Sequence, residues 1–115
     1  MKIKQFDIWL ANLNPQRGTE PGKTRPVVII QANALNAAGH HSTIICPIST
    51  NVIPNFQILR ININPETAGI KQDSDIILDQ IRAIDNKRLL KKLGNLPPSI
   101  TDEIKQNLLI ICGLE

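Results

Sequence analysis

The sequence predicts a mainly β fold with short helices: a small antiparallel barrel or a pair of packed sheets, finished by a C-terminal α-helix. Three observations lead there. Twenty of the 115 residues are isoleucine, which is stiff at χ1 and suits strands. The apolar residues fall in short blocks punctuated by Gly, Pro and Asn, the spacing of a strand-rich fold. Only the last segment carries a sustained helical repeat.

The strand blocks are DIWLANL (7–13), RPVVIIQA (25–32), STIICPIS (42–49), FQILRINI (56–63) and SDIILDQIRAI (74–84), with a short NL at 95–96. Between them lie NPQRGTEPGKT, NALNAAGHH, TNVIPN and NPETAGIKQD, rich in turn formers. KRLLKK (87–92) reads as a short turn of helix ending near Gly94. After Pro97-Pro98, Ser99 and Asp102 have capping-box spacing, with Asp in the Glu place. Ile100, Ile104, Leu108 and Ile111 then share one helical face, and Leu109, Ile110 and Cys112 widen it. Such a helix covers a sheet and leaves excess apolar surface for a second subunit.

A chain of this length has room for one domain, residues 1–115. No run approaches the roughly 20 apolar residues that span a membrane, and the MKIKQFDIWL start lacks the apolar core and cleavage site of a signal peptide. A cytoplasmic protein is expected. Cys46 and Cys112 lie in apolar runs without CxxC or matched histidines, so they read as small buried hydrophobes rather than metal ligands or a disulfide. A net charge of +3 and a pI near 9.1 suit an anionic partner. Aromatics are only 3%, which argues against a sheet that stacks several bases on aromatic rings. No P-loop, GxGxxG or metal-ligand spacing is present.

Three clusters are candidates for chemistry. Arg25 precedes Pro26 at the head of an apolar strand. A residue before proline is pushed to extended backbone, so a permanently charged fork that matches phosphate oxygens projects from a fixed base. The alternative is a surface arginine paired with Glu20 or Asp7. In CPISTN, a buried strand exits into Ser49, Thr50 and Asn51, whose hydroxyls either meet a phosphate or ribose or bond their own backbone in a turn. In DQIRAID, Asp79 and Gln80 interrupt an apolar strand ahead of Arg82, which requires a site or a satisfied polar network. His40 and His41 lie in a loop as weaker candidates for a general base.

Taken together, DIWLANLNPQRGTEPGKTRPVVII, IICPIST, DSDIILDQIRAIDNKRL and the final helix resemble, in order and spacing, the MazF/PemK toxins of bacterial toxin–antitoxin pairs. The resemblance implies a small SH3-like barrel of the CcdB/MazF type with a C-terminal helix, working as a homodimer. It implies a sequence-specific endoribonuclease that cuts single-stranded RNA without a metal or other cofactor. The ribose 2′-hydroxyl attacks the adjacent phosphate, leaving a cyclic phosphate and a free 5′-hydroxyl. It also implies a cognate antitoxin whose flexible, often acidic tail covers the RNA groove.

By the same resemblance, the family's arginine corresponds to Arg25, its strand-end threonine to Ser49 with Thr50 one residue on, and its loop glutamate to Glu20. Its RNA-holding acidic-Gln pair corresponds to Asp79 and Gln80. Catalytic roles are therefore expected for Arg25, Ser49 and Glu20, and RNA contacts for Thr50, Asn51, Phe56, Asp79, Gln80 and Arg82. Within the 52–56 loop Phe56 stacks a base or, alternatively, begins a strand in the core. Three departures stand out. Phe6 replaces a usual glycine, a change expected only to alter an edge. Pro21 stands beside Glu20, in place of a flexible polar residue. Thr19 and Ile77 replace a histidine and an arginine on which one branch of the family relies. Competing functions are a gyrase poison of the same fold, disfavoured by an ICGLE tail without tryptophan, and a non-catalytic SH3-like module or inactive homologue.

Overall fold

A computed structural model describes residues 2–20 and 22–115. Seven antiparallel strands form the body: β1 (Asp7–Asn12), β2 (Thr24–Ile29), β3 (Ser42–Ser49), β4 (Arg60–Ile63), β5 (Ser74–Ile77), β6 (Arg82–Asp85) and β7 (Leu89–Asn95). Three helices complete it: α1 (Asn33–Ala37), α2 (Pro65–Ala68) and α3 (Pro98–Cys112). The strand order is β4-β5-β3-β2-β1-β7, and β6 also pairs with β3. One edge of β3 pairs with β2 through Ile45–Pro47, while its other edge takes β6 along Ser42–Ile45 and β5 at Ile48–Ser49. The block 74–84 is therefore not one strand. It runs along β3 in two pieces, turned at Leu78–Gln80 by a 3-10 helix. Asp79 is exposed and Gln80 half-buried at that corner, so they interrupt no core strand and carry no burial penalty.

Both faces of the central strands are buried. Ile8, Val28, Cys46, Ile48, Ile76 and Leu78 join Ile104 of α3 in one apolar cluster, and Trp9, Ala11, Val27, Ile29, Ile45 and Leu89 form a second. This two-sided burial explains why RPVVII is continuous rather than alternating. Ile100, Leu108 and Ile111 pack on the first cluster, as the helical spacing predicts. Leu109, Ile110 and Leu114 remain exposed. No helix among the described residues is long and apolar enough to cross a membrane.

Several local expectations are corrected. KRLLKK is helical only at its start: Lys87 and Arg88 end a 3-10 turn begun at Asn86, and its last four residues open β7, which pairs with β1. The block 56–63 is a strand only from Arg60, and Phe56 is half exposed rather than a core residue. Ser99 does not cap α3; Pro97 is the N-cap without a side-chain bond, and Pro98 takes the first helical position, where a missing N–H is harmless. Phe6 is not at an edge. Its N–H donates to Ile29 O at 2.7 Å and its carbonyl accepts from Leu96 N–H at 3.1 Å. Its φ of 68° lies in the left-handed region, which a glycine would adopt without a Cβ penalty. The ring recovers packing on the first cluster, with Lys105 Nζ 5.6 Å from its centroid.

The cysteines differ. Cys46 is buried while Cys112 is exposed, against the expectation that both are buried. Burial, reinforced by the charges of Asp79 and Cys112, pushes the Cys46 thiol up to about 12 from 9.0. The folded thiol thus keeps its proton where the unfolded one loses it, so stability is expected to fall as pH rises from about 9 towards 12. A Cys46→Val variant should flatten that alkaline limb in denaturant melts. In native protein, a thiol reagent should modify Cys112 alone.

Candidate functional site: a cationic groove at the exit of β3

The β1–β2 loop sets the base of Arg25. Leu13 N–H donates to Lys23 O at 2.8 Å, and Lys23 N–H donates to Asn14 Oδ1 at 2.7 Å, holding Lys23 at φ 69°. Gly22 is packed so closely on Gln16 that an added Cβ would lie 2.6 Å from the Gln16 Cβ. The Gly22 carbonyl accepts from Arg25 Nε at 2.7 Å. Arg25 is half-buried, and desolvation holds its pKa below the ordinary guanidinium value. Among the described residues it pairs with no carboxylate: Asp7 meets Lys92 at 3.4 Å, and Glu20 meets Arg82 at 3.6 Å. The surface-pair alternative for Arg25 is thereby removed.

The β2–β3 ladder ends at the pair Val27–Pro47, and Arg25 and Ser49 lie two residues beyond it on their own strands. Both line a groove of about 640 Å³ together with Thr50 and Asn51. Ser49 Oγ accepts from Asn51 N–H at 3.1 Å. The turn alternative is thus realised, and it leaves the Ser49 hydroxyl proton available to donate. Lys23, Lys71 and Lys91 also line this groove, and among the described residues no Asp or Glu does. Four cations without a compensating carboxylate make a surface for a polyanion.

The other expected residues separate from it. Phe56, Asp79 and Gln80 line a smaller cavity of about 220 Å³, with Thr19, Ile77 and Arg60. Thr19 and Ile77 thus line the same cavity as Asp79, but without ionisable side chains. Glu20 is 49% exposed, pairs with Arg82 and lies outside the Arg25 groove. The burial that a general-base role asks of it is absent. Arg82 Nη1, the atom 3.6 Å from Glu20 Oε2, is shielded from solvent and has no partner at hydrogen-bond distance among the described residues. His40 and His41 are exposed and line neither cavity. Among the described residues, no three His, Cys, Asp or Glu side chains converge as metal ligands.

Lys23, Lys71 and Lys91 escape a reading of the sequence. Lys91 falls in the segment taken as helix, and the other two lie in turn-rich separators with no pattern to distinguish them. The buried Asp75, 2% exposed, escapes it too.

Residues 4–112 match the family described as PemK-like, MazF-like toxin of type II toxin-antitoxin system. The chain belongs to this family. It is 38% identical over 113 residues to the endoribonuclease MazF of Staphylococcus epidermidis, covering 97% of this chain and 92% of that protein. MazF of Deinococcus radiodurans superposes with a TM-score of 0.81 at 21% identity, covering 98% of each chain. A mycobacterial endoribonuclease in complex with its cognate antitoxin superposes at 0.75 with 15% identity, covering 99% of this chain and 96% of that one. These likenesses place the chain's antiparallel strands and C-terminal helix in the small barrel-like fold of MazF toxins.

Proposed function

We propose that this toxin is a sequence-specific endoribonuclease that cuts single-stranded messenger RNA and so inhibits translation, acting in the cytoplasm as a single-domain homodimer and neutralised by a cognate antitoxin. The observation that carries it is that Arg25 and Ser49 line one groove with Lys23, Lys71 and Lys91 and, among the described residues, no carboxylate. The homologous S. epidermidis endoribonuclease and the toxin–antitoxin structures support the activity and the partner. The exposed Leu109 and Ile110 on the end of α3, and Leu114 just beyond it, supply apolar surface for a second subunit.

Cleavage by the 2′-hydroxyl must place two negative charges on a pentavalent phosphorus, remove one proton and supply another. Arg25 meets the charge. Its Nε is held by Gly22, so the terminal nitrogens point from a fixed stem, and its partial burial strengthens the field they exert. The Ser49 or Thr50 hydroxyl donates to a non-bridging oxygen. Lys23, Lys71 and Lys91 hold flanking phosphates. Phe56 stacks a base, and Gln80 and Asn51 read base edges; Asp79 and Arg82 complete the RNA contacts. Glu20 assists proton removal from outside the groove, the departing 5′-oxygen takes its proton from solvent water, and positioning supplies most of the rate.

The test is incubation with a long single-stranded RNA in EDTA, with the cut ends sequenced. Cuts within one short motif are expected; intact RNA from folded protein would return the chain to the gyrase or inactive-module alternatives. Because Glu20 stands outside the groove, Glu20→Gln should lower kcat by about tenfold or less, under the 10²–10⁴ of a well-placed general base. A larger loss, with the acidic limb of the pH profile abolished, would make Glu20 the base.

A further inference from the structure

The turn that leaves β3 carries the Ser49 and Thr50 hydroxyls and Asn51, and something must hold it. Its own bonds are two short ones, Asn51 N–H to Ser49 Oγ at 3.1 Å and Val52 N–H to Thr50 O at 3.0 Å. The anchors come from outside. Ile53 N–H donates to Asp75 Oδ2 at 2.9 Å. Arg60 Nη1 donates both to Asn51 O at 3.0 Å and to Asp75 Oδ2 at 3.2 Å. Asn62 Nδ2 donates to Asp75 Oδ1 at 3.2 Å. Asp75 also stands opposite Ser49 in the β3–β5 ladder. One buried carboxylate, in a strand whose four residues are all buried, therefore ties down the peptide groups on both sides of Val52.

An ion pair of this kind is a weak means of stabilising a fold, since an apolar pair of similar size packs there as well. Its geometry serves the turn instead. Arg60 also lines the smaller cavity with Phe56, Asp79 and Gln80, so the same side chain touches the cleavage turn and the neighbouring base pocket. We propose that the Arg60–Asp75 pair is a positioning device for RNA cleavage. It fixes the Ser49–Ile53 turn and the spacing between the cationic groove and the pocket around Phe56. The proposal rests on the ribonuclease reading and deepens it: Arg60 and Asp75 act through Ser49, Thr50 and Asn51 rather than on the phosphate.

The experiment compares wild type, Arg60→Lys and the apolar double variant Arg60→Met/Asp75→Leu, with Arg25→Ala alongside. The double variant is expected to fold, to lose about tenfold or more in kcat with KM little changed, and to spread its cuts beyond the wild-type motif. Its Ile53 amide should exchange faster with solvent, a readout independent of RNA. Arg60→Lys, whose single nitrogen can still bridge Asn51 O and Asp75, should restore both rate and motif. A double variant that cuts the same motif with kcat within about twofold of wild type would overturn the proposal. Should that variant not fold, Asp75→Asn keeps the volume and one acceptor but removes the ion pair, and is judged by the same two outcomes. Intact RNA with wild type would overturn the ribonuclease reading and this one with it. Cutting by wild type with indistinguishable pair variants would overturn this proposal alone.

Discussion

Replacing Arg25 by alanine is expected to lower kcat for RNA cleavage by a hundredfold or more while leaving the thermal melt almost unchanged. The magnitude follows from removing a preorganised cation from the position where phosphorane charge develops, typically about 3–4 kcal/mol of transition-state stabilisation. The neutral effect on stability follows from geometry. Arg25 bonds only the Gly22 carbonyl and pairs with no carboxylate among the described residues, so its loss leaves no buried partner charge. Arg25→Lys should recover little, because an ammonium presents a point charge and cannot bond Gly22 through Nε while reaching two phosphate oxygens. Single-turnover cleavage beside circular-dichroism melts checks both halves. A variant that melts early and cuts normally would reverse the assignment.

The largest effect on stability is expected from Arg60→Met alone. It leaves Asp75, 2% exposed, without its cation. Breaking a buried pair by removing one partner costs about 3–5 kcal/mol, and the partial exposure of Arg60 puts this site at the lower end. Ile53 N–H and Asn62 Nδ2 still solvate the carboxylate, but neither neutralises it. Denaturant unfolding should show the midpoint shift with an unchanged slope. Removing the carboxylate as well, as in the double variant, should return most of the loss.

These two arginines show what the sequence could and could not disclose. Arg25 is legible because Pro26 fixes its backbone and the following block is apolar enough to be a strand. Ser49 is legible because β3 spans 42–49, the block read from the sequence, with Ser49 at its end. Arg60 and Asp75 are not legible: nothing in FQILRINI or SDIILDQ announces that the two side chains meet across β4 and β5. The strand β7 illustrates the same limit. KRLLKK suits a helix as well as a strand, and pairing with β1 decides it. The fold then creates the site by placing Lys91 of that strand in the Arg25 groove. The short helix α2, by contrast, is visible in hindsight as Asn-Pro at its start and Gly69, at φ 69°, at its end.

The decisive experiment uses an RNA carrying the chain's cut motif, in EDTA, beside the same RNA with a single 2′-deoxyribose at the cut position. A 2′,3′-cyclic phosphate and a 5′-hydroxyl are expected from the first RNA, no cleavage of the second, and similar binding of both to the groove. Equal cleavage of the deoxy-substituted RNA would contradict a 2′-hydroxyl attack assisted by Arg25 and Ser49.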